Sequence, residues 1–320
     1  MGAVIRGIGV YYPEEILTNA DLEKRVDTTD EWITTRTGIK QRHILPKDSP
    51  LKSSDFGTFA ARAAMAKAGV TAEEIDGIIC ANISPDKQFP ATAFFIQAKL
   101  GAKNAFAFDV TAACAGFVFG ANMAHLLIDA GQAKHVLVIG AEIISRVLDW
   151  NDRNTCILFG DAAGAVVFSP GPKDRGVILS QLKSDGTQAD ALYLDCLSGG
   201  TATAGKGMAM DGKQVFKAAV TEITEIVKST VGKAGLTLRD LDLLVMHQAN
   251  VRILNAVAEK LELPPEKMII NVERFGNTSS ASIPLALHDA DAQGKLKPGK
   301  LVALAGVGGG MSWGCNLIRW

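Results

Sequence analysis

Apolar positions along the chain fall into two recurring forms. Residues 56–68 and 220–234 carry small and apolar side chains at helical spacing, and each run stops at a glycine, Gly69 or Gly235. A short acidic turn follows each, and then a run that is apolar on both faces, residues 75–81 or 241–246. Runs of this kind alternating with helices predict strands of a sheet covered on both sides. Residues 105–110, 135–140, 164–168 and 301–305 read the same way, and residues 311–320 read as a closing strand.

The two forms are copies of one another. Lys67-Ala68-Gly69-Val70-Thr71, with Asp76 and Ile78-Ile79 after it, returns as Lys233-Ala234-Gly235-Leu236-Thr237, with Asp242 and Leu244-Val245. The offset is 166 residues, and Gly140 and Gly306, which close the runs HVLVIG and LVALAG, stand at that same offset. A repeat of this length predicts two similar α/β halves. The turn Ser169-Pro170-Gly171-Pro172 divides them, giving residues 1–170 and 171–320.

Composition narrows the class. A chain of 320 residues with 48% hydrophobic and 21% charged side chains buries a core without metal or disulfide staples. Its 33 basic and 34 acidic side chains leave a net charge of −1, which argues against a nucleic-acid partner. No uncharged apolar run reaches the roughly 18–20 residues of a membrane span, so no membrane partner is expected. Arg6 interrupts the first apolar stretch, which then lacks the form of a secretory signal. Arg6 also stands where a lipid-attachment site at Gly2 wants Ser or Thr. Five cysteines, Cys80, Cys114, Cys156, Cys196 and Cys315, form no CxxC pair. Reduced thiols in a cytoplasmic setting are expected, and no zinc site.

Several segments could carry chemistry. Cys114 follows a predicted strand and starts an apolar helix, among Ala112, Ala113, Ala115 and Gly116, so a substrate can approach its sulfur. A helix N-terminus favours thiolate, which lowers a thiol pKa; the alternative is a buried structural cysteine. His247 ends a predicted strand at the position where the first copy has Ala81, so the fold does not itself require histidine there. Strand C-termini are where α/β sheets bind ligands. Asn277 lies in the polar turn FGNTSSAS, where an ordinary cap or turn asparagine is the plainer reading. The run Gly306-Val307-Gly308-Gly309-Gly310 looks like a phosphate cradle, but too few residues remain for a dinucleotide-binding unit. Close backbone approach to a developing oxyanion suits it better. Cys315 reads as a packed strand residue.

Taken together, DVTAACAGF around Cys114, HQAN at 247–250, GNTSSASIP at 276–284 and GGGMSWG at 308–314 resemble the thiolase superfamily, and within it the β-ketoacyl-[acyl-carrier-protein] synthase III family. The resemblance spans essentially the whole chain. It implies a five-layer αβαβα fold built from two duplicated halves. It also implies a condensing acyltransferase of fatty-acid synthesis that joins an acyl-CoA primer to malonyl-acyl carrier protein without a cofactor. Cys114, His247 and Asn277 match the catalytic positions, with His247 and Asn277 implied as hydrogen-bond donors. The backbone N–H groups of Cys114 and Gly309 match the oxyanion hole.

Further matches are implied for CoA: Thr28, Trp32, Arg36 and Arg153 around the nucleotide, and Gly212, Phe216 and Asn250 along the pantetheine. Lys217, Arg252 and Lys260 match basic positions that dock the carrier protein. Phe89 matches a residue that a homodimer partner inserts at the acyl pocket. The chain departs from the family pattern at Met311-Ser312, where Phe-Thr is usual, and at Phe94-Phe95. Rival readings keep the fold but change the chemistry. One is a quinolone or polyketide starter condensation, another an acyltransferase or thioesterase without decarboxylation, and a third a non-catalytic scaffold.

Overall fold

The computed structural model describes residues 2–195 and 207–320, so Cys196 lies outside the described residues. Up to residue 171 the strands are β1 (Gly2–Tyr11), β2 (Ile16–Thr18), β3 (Gln41–His43), β4 (Gly77–Ala81), β5 (Phe106–Val110), β6 (Val136–Glu142) and β7 (Ala162–Gly171). Beyond it come β8 (Gly176–Ser184), β9 (Leu192–Leu194), β10 (Met208–Met210), β11 (Leu243–Met246), β12 (Leu301–Gly308) and β13 (Ser312–Arg319). The helices are α1 (Asn19–Glu23), α2 (Asp30–Thr37), α3 (Ser53–Ala68), α4 (Thr92–Leu100) and α5 (Gly116–Asp129). They continue with α6 (Arg153–Cys156), α7 (Gly212–Lys233), α8 (Val251–Lys260), α9 (Val272–Phe275) and α10 (Ser282–Ala292).

One sheet runs β1-β7-β6-β4-β5 and another runs β8-β13-β12-β11. In the first, β1 and β6 pair antiparallel with β7, and β6 pairs parallel with β4. In the second, β8 and β12 pair antiparallel with β13, and β12 pairs parallel with β11. Four strands are thus repeated in order and sense, and the 166-residue copies fall on α3–β4 and α7–β11. Where β5 lies beside β4, β11 has, among the described residues, a single parallel bridge, Leu244 to Met268.

The alternation of side chains along each buried strand builds the layers. Phe117 and Val118 of α5, with Ile283 and Leu287 of α10, share one core with Val138 and Phe168 of the first sheet and Val245 and Leu304 of the second. On the outer face of the first sheet, Phe56 and Ala60 of α3 and Ile96 of α4 cover Ile78 and Leu137. On the outer face of the second, Ile223 and Val227 of α7 and Leu254 of α8 cover Leu244 and Ala303. The order is helix, sheet, helix, sheet, helix, which is the five-layer αβαβα thiolase fold.

Two expectations change. Residues 105–110 were expected to be buried on both faces, yet β5 is half-buried and Phe106 is 39% exposed, because β5 is the edge of its sheet. The helix expected over 220–234 begins earlier, at Gly212, because the Asp211 carboxylate caps it by accepting from the N–H groups of Lys213 and Gln214 at 3.0 Å. Among the described residues no helix is long and apolar enough to cross a membrane.

Candidate active site

β5 delivers the chain to a tight turn, Ala113–Ala115, that opens α5 and carries Cys114. Ala113 adopts φ +45°, a region that costs an alanine free energy and is held by its surroundings. Those surroundings come from the other repeat. A Cβ built on Gly308 would stand 2.8 Å from the Cys114 nitrogen and 2.5 Å from the Ala112 oxygen, so only glycine lets β12 reach the Cys114 turn. The Ser312 hydroxyl donates to the Ala112 carbonyl at 3.1 Å and ties β13 to the same turn.

Burial decides the state of the thiol. The lowering expected from the helix N-terminus is outweighed, and desolvation pushes Cys114 up to about 12, against a smaller opposing contact from Ser279. At rest Cys114 is a thiol, so a role as nucleophile calls for an acceptor for its proton.

His247 follows β11, held by its N–H to the Ala305 carbonyl at 2.9 Å. It is buried, and desolvation holds the imidazole neutral by lowering its pKa to about 4. Asn277 sits on the turn between α9 and α10, clasped by a two-way ladder to the chain before β7. Its N–H donates to Leu158 O at 2.8 Å, and Gly160 N–H donates to its carbonyl at 3.0 Å. Arg42 on β3, fully buried, braces that clasp by donating from Nη2 to Ile157 O at 2.6 Å. The Asn277 Oδ1 accepts the Ser279 N–H at 2.8 Å, which leaves its NH2 group as the free, donating end. Ser279 itself has φ +49°. Its neighbour Ser280 donates within reach of Ala81 O (2.8 Å) and Glu142 Oε1 (2.9 Å), and burial pushes the Glu142 carboxyl up.

Cys114, His247 and Asn277 line one inner cavity of about 150 Å³, together with Gly308, Phe159, Leu192, Met210 and Met311. It is continuous with an outer cavity of about 980 Å³ through Leu158, Met210, Gly212, Phe216 and Asn250, which line both. Trp32, Arg36 and Arg252 line the outer cavity. The Arg36 and Arg153 guanidinium groups lie 4.8 and 5.0 Å from the Trp32 ring centroid, within cation–π range. Arg153 also donates to Asp27 O at 2.7 Å. Thr28 lies beside this group in sequence, and its buried Oγ1 has no hydrogen-bond partner among the described residues. Asn250 caps α8 by accepting from the Arg252 N–H at 2.8 Å.

Gly309 follows Gly308, and a Cβ on it would stand 2.6 Å from the Leu192 carbonyl oxygen. Other expected residues lie apart from the two cavities. Lys217 is exposed on α7. Lys260 ends α8 and lines a separate groove with Lys228, Arg239 and Lys267, away from the cavity mouth. Phe89 is 84% exposed and lines neither cavity of its own chain. Met311, the departure from the family pattern, is buried and lines the inner cavity.

Sequence reading missed Leu158, Phe159, Leu192 and Met210. Apolar residues carry no chemical signature, and Leu192 and Met210 meet only because β9 and β10 pair across a connection. It also missed Lys213, which lines the outer cavity one residue beyond the Asp211 cap's glycine. Ser279 and Ser282 lay inside a quoted motif, but which of its serines face the site depends on the turn.

A thiol, a neutral imidazole and an amide donor facing one small cavity at the base of a wide mouth are equipped for acyl transfer through sulfur. The comparisons with known proteins agree. The family model described as 3-oxoacyl-[acyl-carrier-protein] synthase III matches residues 108–186, and its C-terminal counterpart matches residues 231–320. A β-ketoacyl-[acyl-carrier-protein] synthase III of Ruegeria pomeroyi is 48% identical over 99% of both chains. The crystal structure of a 3-oxoacyl-[acyl-carrier-protein] synthase III from Aquifex aeolicus superposes with a TM-score of 0.94 at 45% identity, covering all of both chains. The priming β-ketosynthase of the R1128 polyketide pathway is 34% identical with a TM-score of 0.92, over 99% of this chain and 96% of that one. With its fold, its cavity and its full-length relatives in agreement, this chain belongs to the β-ketoacyl-[acyl-carrier-protein] synthase III family of thiolase-fold condensing enzymes.

Proposed function

We propose that this enzyme condenses an acetyl-CoA or short, branched acyl-CoA primer with malonyl-acyl carrier protein, with loss of CO2, and so initiates fatty-acid synthesis. The observation that carries the reading is the convergence of Cys114, His247 and Asn277 on one cavity. Cys114 takes the acyl group as a thioester and CoA leaves. Malonyl-carrier protein then enters, and His247 and Asn277 hold its thioester oxygen while CO2 departs. The enolate carbon attacks the acyl carbonyl, whose oxygen meets the N–H groups of Cys114 and Gly309. Decarboxylation supplies the carbanion, so no base strong enough to remove an α-proton and no cofactor is called for.

CoA enters by the outer cavity, with its purine held by Trp32 and Arg153 and its phosphates near Arg36. Gly212, Phe216 and Asn250, shared by both cavities, line the pantetheine path. Lys213 and Arg252 at the mouth, with Lys217 nearby on α7, suit an acidic carrier protein. Two copies pair along β5, and Phe89 of each reaches the other's acyl pocket. The exposure of Phe89, Phe94 and Phe106 supports this. The cytosol is the fitting compartment for its free thiols.

Mass spectrometry of the intact protein after mixing with a panel of acyl-CoAs tests the reading. Short-chain adducts that vanish in Cys114→Ala and discharge as β-ketoacyl product on adding malonyl-carrier protein are expected. Absence of any adduct overturns it. The similarity to a polyketide-priming synthase favours a second reading, starter condensation in secondary metabolism. The inner cavity of about 150 Å³ favours the short primer, and a preference for aromatic or long primers in the same panel would reverse that choice.

A further inference from the structure

The buried ring of His247 has Nδ1 2.7 Å from Oγ of Ser282, the first residue of α10. That hydroxyl has one proton, and it is directed at the Ser279 carbonyl, three residues back and 2.8 Å away. The Gln248 N–H approaches the same oxygen at 3.4 Å. A hydroxyl whose proton is committed elsewhere can only accept from the imidazole, so Nδ1 carries the proton of the neutral ring; this tautomer is assigned from the hydrogen-bond network.

We propose that Ser282 is a positioning residue that holds His247 as its Nδ1–H tautomer, so that Nε2 enters the reaction as a proton acceptor and becomes a donor only after Cys114 has given up its proton. The proposal rests on the condensing reading and refines one part of it. Asn277 is a donor from the start, because the Ser279 N–H occupies its oxygen. His247 is not. One turn, residues 279–282, thus assigns opposite resting roles to the two groups.

The protons balance on this scheme. As Sγ attacks the primer thioester, its proton passes to Nε2, the C–S bond to CoA breaks, and the CoA thiolate leaves to be protonated from solvent. The imidazolium then donates from Nδ1 to Ser282 and from Nε2 to the malonyl thioester oxygen. The bond to the leaving carboxylate breaks, CO2 departs, and its electron pair forms the enolate. Attack of the enolate carbon on the acyl group gives a tetrahedral intermediate that expels the Cys114 thiolate. That thiolate takes the Nε2 proton back. Both residues end as they began, and the one proton drawn from solvent stays on CoA.

The test is 15N NMR of the full-length protein labelled at its five histidines, with the His247 signals identified by their loss in His247→Gln. At neutral pH the resting wild-type ring is expected to show a protonated Nδ1 and a bare Nε2. A resting Nε2–H ring overturns the proposal without any Ser282 variant having to fold. Ser282→Ala is expected to move the ring toward Nε2–H and to slow acyl loading of Cys114 about tenfold or more, and Ser282→Thr to restore both. An unchanged tautomer with wild-type loading in Ser282→Ala also overturns it. Failure of the condensing reading looks different: wild-type Cys114 then takes no acyl group from any primer, whatever the tautomer.

Discussion

The Ser279 N–H donates to Asn277 Oδ1 at 2.8 Å, and this bond decides which end of the Asn277 amide meets a substrate. Asn277→Asp keeps the shape and replaces the donor with an acceptor. Decarboxylation of malonyl-carrier protein should fall about 10²–10³-fold, as when one oxyanion donor is lost. Acyl loading of Cys114, measured separately by mass spectrometry, should change far less. Equal loss in both half-reactions would place Asn277 in the first step instead.

The Cys114 thiol, pushed up to about 12 by burial, should react sluggishly with iodoacetamide. Its alkylation rate should climb about tenfold for each pH unit between about 7 and 10, with no plateau. A plateau near pH 8 would show a thiol at its ordinary acidity.

His247 makes the fold sensitive to acid. Its folded pKa of about 4 lies below the unfolded value of about 6.5, so below pH 6.5 the unfolded chain binds the proton first. This group's contribution is present above pH 6.5 and is lost as pH falls toward 4, amounting to about 2 kcal/mol at pH 5. Urea denaturation at pH 7 and 5 should show a smaller drop for His247→Gln than for the wild type.

Arg42 donates to Ile157 O, Leu17 O and Asn19 Oδ1 from a fully buried position. Arg42→Met leaves those acceptors without donors and should cost about 3 kcal/mol or more. Because Leu158 and Gly160 clasp the Asn277 backbone, the residual enzyme should lose decarboxylation more than acyl loading. Thermal melts with both half-reaction assays check the pair of effects.

Trp32→Ala removes the aromatic face under Arg36 and Arg153. The KM for acyl-CoA should rise about tenfold, while discharge of a preformed acyl-enzyme by malonyl-carrier protein stays near the wild-type rate.

Much of this was legible in the chain. The 166-residue repeat marked the strands β4 and β11 to within two residues, because buried strands need apolar side chains on both faces. Cys114 and His247 could be singled out because each puts a reactive group at the end of an apolar element, whereas Asn277 stood out only through the resemblance of its motif to the family's. The resting charge states were not legible. Proximity to a helix terminus pointed to a thiolate at Cys114, but burial, a property of the assembled core, sets its acidity the other way. The roles of Leu158, Leu192 and Met210 depend on segments brought together by tertiary pairing, and a leucine in a wall has the same sequence signature as a leucine in a core.

Gly308 lies in the second repeat and rests against the turn of Cys114 in the first. His247 and Asn277 also come from the second. The candidate catalytic centre is therefore a seam, and on the proposed function neither repeat holds a complete set of working parts. On the proposed function the two copies hold complementary roles, a nucleophile in one and its proton carrier and donors in the other. A substitution on either side of the seam is then felt by the opposite repeat, so the two repeats meet as partners would across a binding interface, although a single chain encodes both.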